Sequence, residues 1–395
     1  MTTNVPVPSR EELVRRAQGL VPLLQKNAVW HEENRRLHDD TLEALGDAGF
    51  FKLRVPKRYG GFEVDTSTLN AVLVELARGD GAVGWTTSVW NIPGWMVGMF
   101  PDAVQDEVYS TPDVRVCGTL SPGGQAVPTD GGYVVNGRWG FISGALHSHW
   151  QEIIAIAPTP DGQGMWPVAA LVPLSDLQVI DDWYTMGMAG SGSVTTVAND
   201  LFVPAERVIP LVSILQGQSH SPASAELPIY RNPLLGVANA SSAGTPIGLA
   251  EAAMENFLER VGTRKITYTD YAHQAEAPVT HLKVAEARLQ IDQAAFHADR
   301  ITRTADEKAA TGAEWSLLER ARTRADIGAI CKLTKSAVDA LSLASGGSSA
   351  YTSVPIQRIA RDIHVVNLHA LMAPDTNNEL YGRVLLGLEP NTQYI

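Results

Sequence analysis

Leu13, Ala17, Leu20 and Leu24 recur at the three- and four-residue intervals of one helix face. Ser9 followed by Glu12 supplies a capping box for that helix. The pattern predicts a second helix from about Glu32 to Ala48, stopped at Gly49, then a glycine-rich turn (PKRYGGFEVD) and another helical stretch over 68–77. Between about 112 and 210 the helical period gives way to short runs. Asp130-Gly131-Gly132 is a turn signal, and 133–135 and 138–142, separated by Asn136-Gly137, read as a tight hairpin. EIIAIAP and PVAALVP are strand-like with proline boundaries, and SGSVTTVANDLFV is rich in β-branched residues. These runs are too closely spaced for β-α-β crossovers.

Residues 211–230 form a polar connector, and from about 231 the helical period returns. Leu282, Ala285, Leu289 and Phe296 predict one long helix. Leu317, Ala321, Ala325, Gly328, Leu333, Ala337 and Leu341 predict another, with small residues that permit close helix approach. The expected fold class is α+β, mainly α. Its parts are an N-terminal helical domain (1–111), a central β domain (112–225) and a C-terminal helical bundle (226–395).

Composition narrows the partners. The 395 residues exceed what one core usually organises. Forty-three acidic against 31 basic residues give a formal charge of -12, which repels phosphate backbones and argues against nucleic acid. Cys117 and Cys331 are too few for a disulfide framework and are expected to be buried, in a reducing compartment. MTTNVPVPSREELVRR lacks a basic segment followed by an apolar core, and no apolar run reaches the ~18 residues of a membrane span. A soluble, cytoplasmic protein is expected, with no membrane partner.

The common cofactor signatures are missing. GMAGSGS (187–193) contains Gly190 and Gly192 but lacks the third glycine and the following helix of a dinucleotide fingerprint, so it reads as a loop between strands. His147 and His149 in SGALHSHW would share one strand face, but no third ligand lies near, and no metal is expected. Two other segments, GTLSPGG (118–124) and WGFISG (139–144), set Thr119, Ser121 and Ser143 beside glycines, with Trp139 and Phe141 in the second. Glycine lets a flat ligand approach the backbone, aromatics cover its face, and hydroxyls bond its edge.

Several segments, in this order and spacing, resemble the acyl-CoA dehydrogenase superfamily over nearly the whole chain. They are LEALGDAGFFKLRVPKRYGG, ELARGDGAVGW, NGRWGFISG and GGSSAYTSVPIQRIARD. The resemblance implies an N-terminal helical domain, a β domain and a C-terminal four-helix bundle, with flavin between the last two and a homotetrameric assembly. In many of these dehydrogenases a glutamate eight residues after the Arg-Asp pair removes the substrate's α-proton; here that position is Ala370, next to His369. RDIHVVNLHALMAPD and SGALHSHW are similar instead to the two-component flavin-dependent monooxygenases that hydroxylate phenols. The ending NNELYGRVLLGLEPNTQYI looks closest to hydroxylases of aromatic polyketide pathways in antibiotic biosynthesis.

This branch implies an oxygenase component that takes reduced flavin, FMN with FAD as the alternative, from a separate NAD(P)H:flavin reductase. It hydroxylates an aromatic substrate through a flavin C4a-hydroperoxide. Alternatives on the same fold are N-hydroxylation of an amine or amino sugar, and an acyl-CoA dehydrogenase with a displaced base. By position, the resemblance puts Ser143 near flavin N5, Thr119 and Ser121 along the pyrimidine edge, and Trp139 and Phe141 in the wall. Arg264 falls near the phosphate, and Gly346, Gly347 and Ser348 in a glycine-rich turn. Trp85, Asn91, His147 and His369 are the expected substrate contacts, and His369 and Ser143 the expected catalytic groups. Two positions depart from relatives: Ala189 stands where arginine is common, and Asn91 where some phenol hydroxylases have histidine.

Residues 361–371 read as one helix closed by Pro374. On it His364 and His369 would lie about 140° apart, so only one faces the pocket. The resemblance selects His369, with Asp375 to orient its imidazole.

Overall fold

The computed structural model describes residues 7–395. The first six residues, part of the N-terminal stretch expected to carry no export signal, lie outside the described residues. Five helices come first: α1 (Arg10–Asn34), α2 (Asp39–Asp47), α3 (Thr66–Gly79), α4 (Gly81–Val97) and α5 (Asp102–Tyr109). Ser9 caps α1 by accepting from the Glu12 N–H at 3.2 Å, and Leu13, Ala17 and Leu24 face the core.

The second helix starts later than the pattern predicts. Glu32 still belongs to α1, which ends where Arg35 turns left-handed at φ 54°. That conformation is held by a two-pronged pair with Asp181 (2.6 and 2.8 Å) and by Tyr184, whose ring lies 3.9 Å from the guanidinium carbon. α2 begins at the acidic pair Asp39 and Asp40, which suits a helix N-terminus, and is capped by the His38 ring.

A single sheet follows, with strands β1 (Val116–Gly118), β2 (Gly124–Thr129), β3 (Gly132–Ile142), β4 (Trp150–Pro158), β5 (Met165–Pro173), β6 (Gln178–Ile180), β7 (Val194–Pro204) and β8 (Val208–Pro210). Its order is β6-β7-β3-β2-β4-β5-β8, with β1 also beside β4. The expected hairpin at Asn136-Gly137 is not there. The turn falls at Asp130-Gly131, where Gly131 takes φ 75° and Thr129 pairs with Gly132. Asn136-Gly137 lies inside β3, at a slip in its pairing with β7. The Asn136 amide exchanges two hydrogen bonds with Asp200 (3.0 and 2.8 Å), and a Cβ on Gly137 would meet the Trp139 ring at 2.6 Å. Close approach, not reversal, is why glycine stands there.

Two short helices, α6 (Leu211–Leu215) and α7 (Pro222–Ala225), lead to α8 (Leu234–Ser242), α9 (Gly244–Val261), α10 (Pro278–Thr311), α11 (Leu317–Ala344), α12 (Pro355–Val366) and α13 (Pro374–Leu385). The acyl-CoA dehydrogenase-like architecture is thus present, with helical N- and C-terminal parts around a central sheet. α10 is the long helix predicted, but its inner face is not the one marked. Ala287, Ile291, Ala294, Ala298 and Ile301 are buried, whereas Leu282, Leu289 and Phe296 are 72%, 60% and 73% exposed. Alanines let α11 pack closely; its buried Ala321, Ala325 and Ala337 answer them.

The helix expected over 361–371 ends early. Asn367 folds its side chain onto the Ile363 carbonyl at 2.8 Å, and α12 stops at Val366. Pro374 opens α13 instead of closing α12, since proline lacks only an N–H that the first helical turn leaves unpaired anyway. His369 is therefore on a turn, and the helical angle between the two histidines does not apply. Among the described residues no helix is long and apolar enough to cross a membrane. Cys117 and Cys331 are fully buried, which pushes both thiols up to about 12.

Candidate active site

β3 delivers Ser143 through a distortion. Its pairing with β7 slips between Trp139 and Ile142, and Phe141 takes φ 63°. This is costly for a bulky residue and is found where a side chain must be re-aimed. Phe141 turns outward, 75% exposed, with its ring 5.9 Å from Trp183 and edge-on. Ser143 turns inward and is buried. Its Oγ accepts from Trp85 Nε1 at 3.0 Å and lies 2.7 Å from Ser193 Oγ, which lies 2.7 Å from Ser191 Oγ.

Ser191 donates to the Met188 carbonyl at 2.7 Å, and Trp183 Nε1 donates to the same oxygen at 3.1 Å. Met188 is itself left-handed, at φ 55°, and its N–H donates to Asp362 Oδ1 of α12 at 2.5 Å. Burial, with the Asp80 carboxylate nearby, pushes Asp362 up to about 7. The 188–193 loop is therefore pinned to β3 on one side and to the bundle on the other.

His369 meets this network through Trp85, whose ring lies 5.3 Å away and edge-on. The residue is exposed, yet crowding of the imidazole by protein, with Arg324 close by, pushes it down to about 4. It is neutral at pH 7. Arg324 also bonds Asn377 Oδ1 at 2.8 Å and the Tyr394 carbonyl, and Tyr394 donates its hydroxyl to the Leu120 carbonyl at 2.9 Å. The C-terminal tail thus ties the His369 side of the bundle to the loop that carries Thr119 and Ser121.

Other expectations need correction. Trp139 is no wall: it is almost fully buried in the β core and donates to the Ile154 carbonyl at 2.8 Å. Asp375 is exposed in the first turn of α13, and no hydrogen bond joins it to His369 among the described residues. Asn91 is buried and spends its amide on the Phe50 and Thr87 carbonyls. His147 lies on a turn, not a strand, and its Nε2 accepts from the Leu37 N–H at 3.1 Å. Burial first, then Arg36 and Arg115, pushes it down to about 4. His149 Nδ1 accepts likewise from the Arg115 N–H at 3.1 Å.

The structure brings two groups of expected residues together. Trp85, Ser143 and His369 form one. In the other, Arg264 approaches Gly346, which takes φ 63° at the head of the turn holding Gly347 and the exposed Ser348. No contact joins the two groups within one chain among the described residues. Sequence reasoning missed Ser191, Ser193, Trp183, Arg324 and Tyr394. Only the hydroxyl-rich GMAGSGSV carried a signal, and its two serines sit on the turn before β7, not on a strand face.

A large exposed aromatic beside a buried hydroxyl is a surface that a flat ring would cover, so these residues fit a flavin. No group of three His, Cys, Asp or Glu able to hold a metal occurs among the described residues.

Residues 19–112 match the model for the acyl-CoA dehydrogenase N-terminal domain, and residues 240–374 that for the C-terminal domain. The chain is 32% identical to the oxygenase component of the FADH2-dependent resorcinol hydroxylase of a Rhizobium strain, over 97% of this chain and 96% of that protein. It is 30% identical to the flavin-dependent monooxygenase oxygenase subunit HsaA of Mycobacterium tuberculosis, over 98% of each chain. Among solved structures it is similar to XiaF from a Streptomyces species in complex with FADH2 and glycerol. There the TM-score is 0.92 at 30% identity, covering 98% of both chains.

Proposed function

The chain belongs to the acyl-CoA dehydrogenase superfamily, in its branch of flavin-dependent monooxygenase oxygenase components, and from that premise we propose that it hydroxylates a phenolic, polyketide-derived ring. One observation carries the reading. A neutral, accessible histidine, His369, is set against Trp85, whose indole N–H holds Ser143. Ala370 occupies the position of the dehydrogenase glutamate, which favours oxygenation over α-proton removal.

Reduced flavin, when bound, supplies the electrons that activate dioxygen for transfer of one oxygen atom. Thr119 and Ser121 would hold its pyrimidine edge, Ser143 the central ring, and Phe141 with Trp183 its open face. Arg264, with Gly346, Gly347 and Ser348, would hold the phosphate end, contributed by a neighbouring copy of the chain in a homotetramer. His369 accepts the phenol proton, which makes the ring more electron-rich at the carbon that takes up oxygen. Phenol, dioxygen and reduced flavin give catechol, water and oxidised flavin. The Arg324–Tyr394 contact would help screen the bound ring from water, which otherwise diverts oxygen to hydrogen peroxide.

The reductant comes from a separate NAD(P)H:flavin reductase, because the chain has no nicotinamide-binding fingerprint of its own. FMN is the cofactor expected from the sequence. FADH2 appears in the resorcinol hydroxylase's name and in the XiaF complex. The test supplies photoreduced FMN or FAD with a panel of phenols and amines. Catechol formation from phenols supports the reading; product only from amines replaces it with N-hydroxylation.

A further inference from the structure

The hydroxyls behind Ser143 form a chain whose direction is forced. Three contacts run in series, each 2.7 Å long: Ser143 to Ser193, Ser193 to Ser191, and Ser191 to the Met188 carbonyl. Oxygen atoms this close need a proton between them. The three serines supply three hydroxyl protons, one per contact. The carbonyl has none to give, so Ser191 donates to Met188. Ser193 must then donate to Ser191, and Ser143 to Ser193. At the other end, Trp85 can only donate, and it does so to Ser143. Ser143 is left with a lone pair and no proton to offer.

We propose that this one-way chain fixes Ser143 as an obligate hydrogen-bond acceptor, and that it thereby selects reduced over oxidised flavin. The two redox forms differ at the ring nitrogen N5. In reduced flavin N5 carries a hydrogen and donates; in oxidised flavin N5 is a bare acceptor. An acceptor-only Ser143 pairs with the first and meets the second lone pair to lone pair. A chain that receives its flavin already reduced and must let it go once oxidised benefits from this difference.

The backbone holds the chain rigid. The Gly144 N–H donates to the Ser191 carbonyl at 2.8 Å, and Asp362 anchors Met188, so the hydroxyls have little freedom to reorient. Ser191 and Ser193 act through Ser143 and are positioning residues. The inference rests on the reading of Ser143 as the hydroxyl at N5.

The test is anaerobic titration of the full-length protein with oxidised and with photoreduced FMN, repeated with FAD. Ser193→Ala removes the acceptor of the Ser143 proton and frees that hydroxyl to serve either form. Oxidised flavin should then bind about tenfold tighter while reduced flavin binds as before, a change worth about one hydrogen bond. The midpoint potential of bound flavin should fall by about 30 mV. Ser191→Ala, which frees the chain one link earlier, should move both in the same direction and serves if Ser193→Ala does not fold. A packing defect would weaken both forms together, and that result overturns the inference, as does an unchanged ratio. Ser143→Ala separates the two levels. If it weakens reduced flavin while the other variants leave the ratio unchanged, the chain inference fails and the N5 reading stands. If it alters neither affinity, Ser143 is not at N5 and both fall.

Discussion

His369 has its protonation state set by its surroundings: desolvation and Arg324 hold the ring neutral down to about pH 4. The acid limb of the kcat/KM profile should therefore lie nearer 4 than the 6.5 of a free imidazole. His369→Ala should slow substrate hydroxylation by ~10²-fold or more. Reduced-flavin affinity should hold, and oxygen uptake should continue as hydrogen peroxide release. Unchanged hydroxylation would remove His369 from the chemistry. Asp362 gives a pH test of the pinned loop. Its folded pKa, about 7, lies above the usual carboxylate value. Its contribution to stability is thus fully present below the unfolded pKa and is lost as pH rises through 7. Asp362→Asn keeps an oxygen for the Met188 N–H and never ionises. Its melting temperature should match the wild type only below about pH 4, where the unfolded carboxyl is also protonated, and exceed it by about 2 °C or more at pH 8.5. Equal melting across that range would contradict the assignment. The sequence singled out Trp85, Ser143 and His369, and the fold puts them in contact. The wall that the resemblance assigned to Trp139 and Phe141 together divides at the bulge, which turns Phe141 outward and leaves Trp139 in the β core.

Elements were legible where periodicity is strong and illegible at their ends. The order of helices, strands and helices follows from local patterns. The breaks at Arg35 and Val366 do not, because a salt bridge with Asp181 and a side-chain cap by Asn367 set them. α10 shows a second limit. Two apolar stripes ran along it, and the one with larger side chains faces outward. Such a stripe on a helix whose inner face is already packed calls for a partner surface. In the homotetramer proposed here, it packs against another copy. Leu289→Glu with Phe296→Glu should shift sedimentation to smaller species without loss of helical circular dichroism. A wild-type chain that sediments as a monomer would remove this role for the stripe.

At the scale of the molecule, the sheet carries the hydroxyl edge, the bundle carries His369, and the C-terminal tail joins the two through Arg324, Tyr394 and Leu120. The division of labour follows from the same arrangement. The site proposed for oxygen transfer comes with no nicotinamide-binding fingerprint in the sequence, so pure protein should not oxidise NADH or NADPH. The most direct measurement supplies photoreduced FMN or FAD, without any reductase, to the pure chain in oxygenated buffer with a phenolic panel and follows product by mass. One phenol should gain a single oxygen atom, derived from 18O2, in proportion to the reduced flavin supplied. Failure of every phenol to gain oxygen while reduced flavin is consumed, or rapid NADH oxidation by the chain alone, would contradict the account.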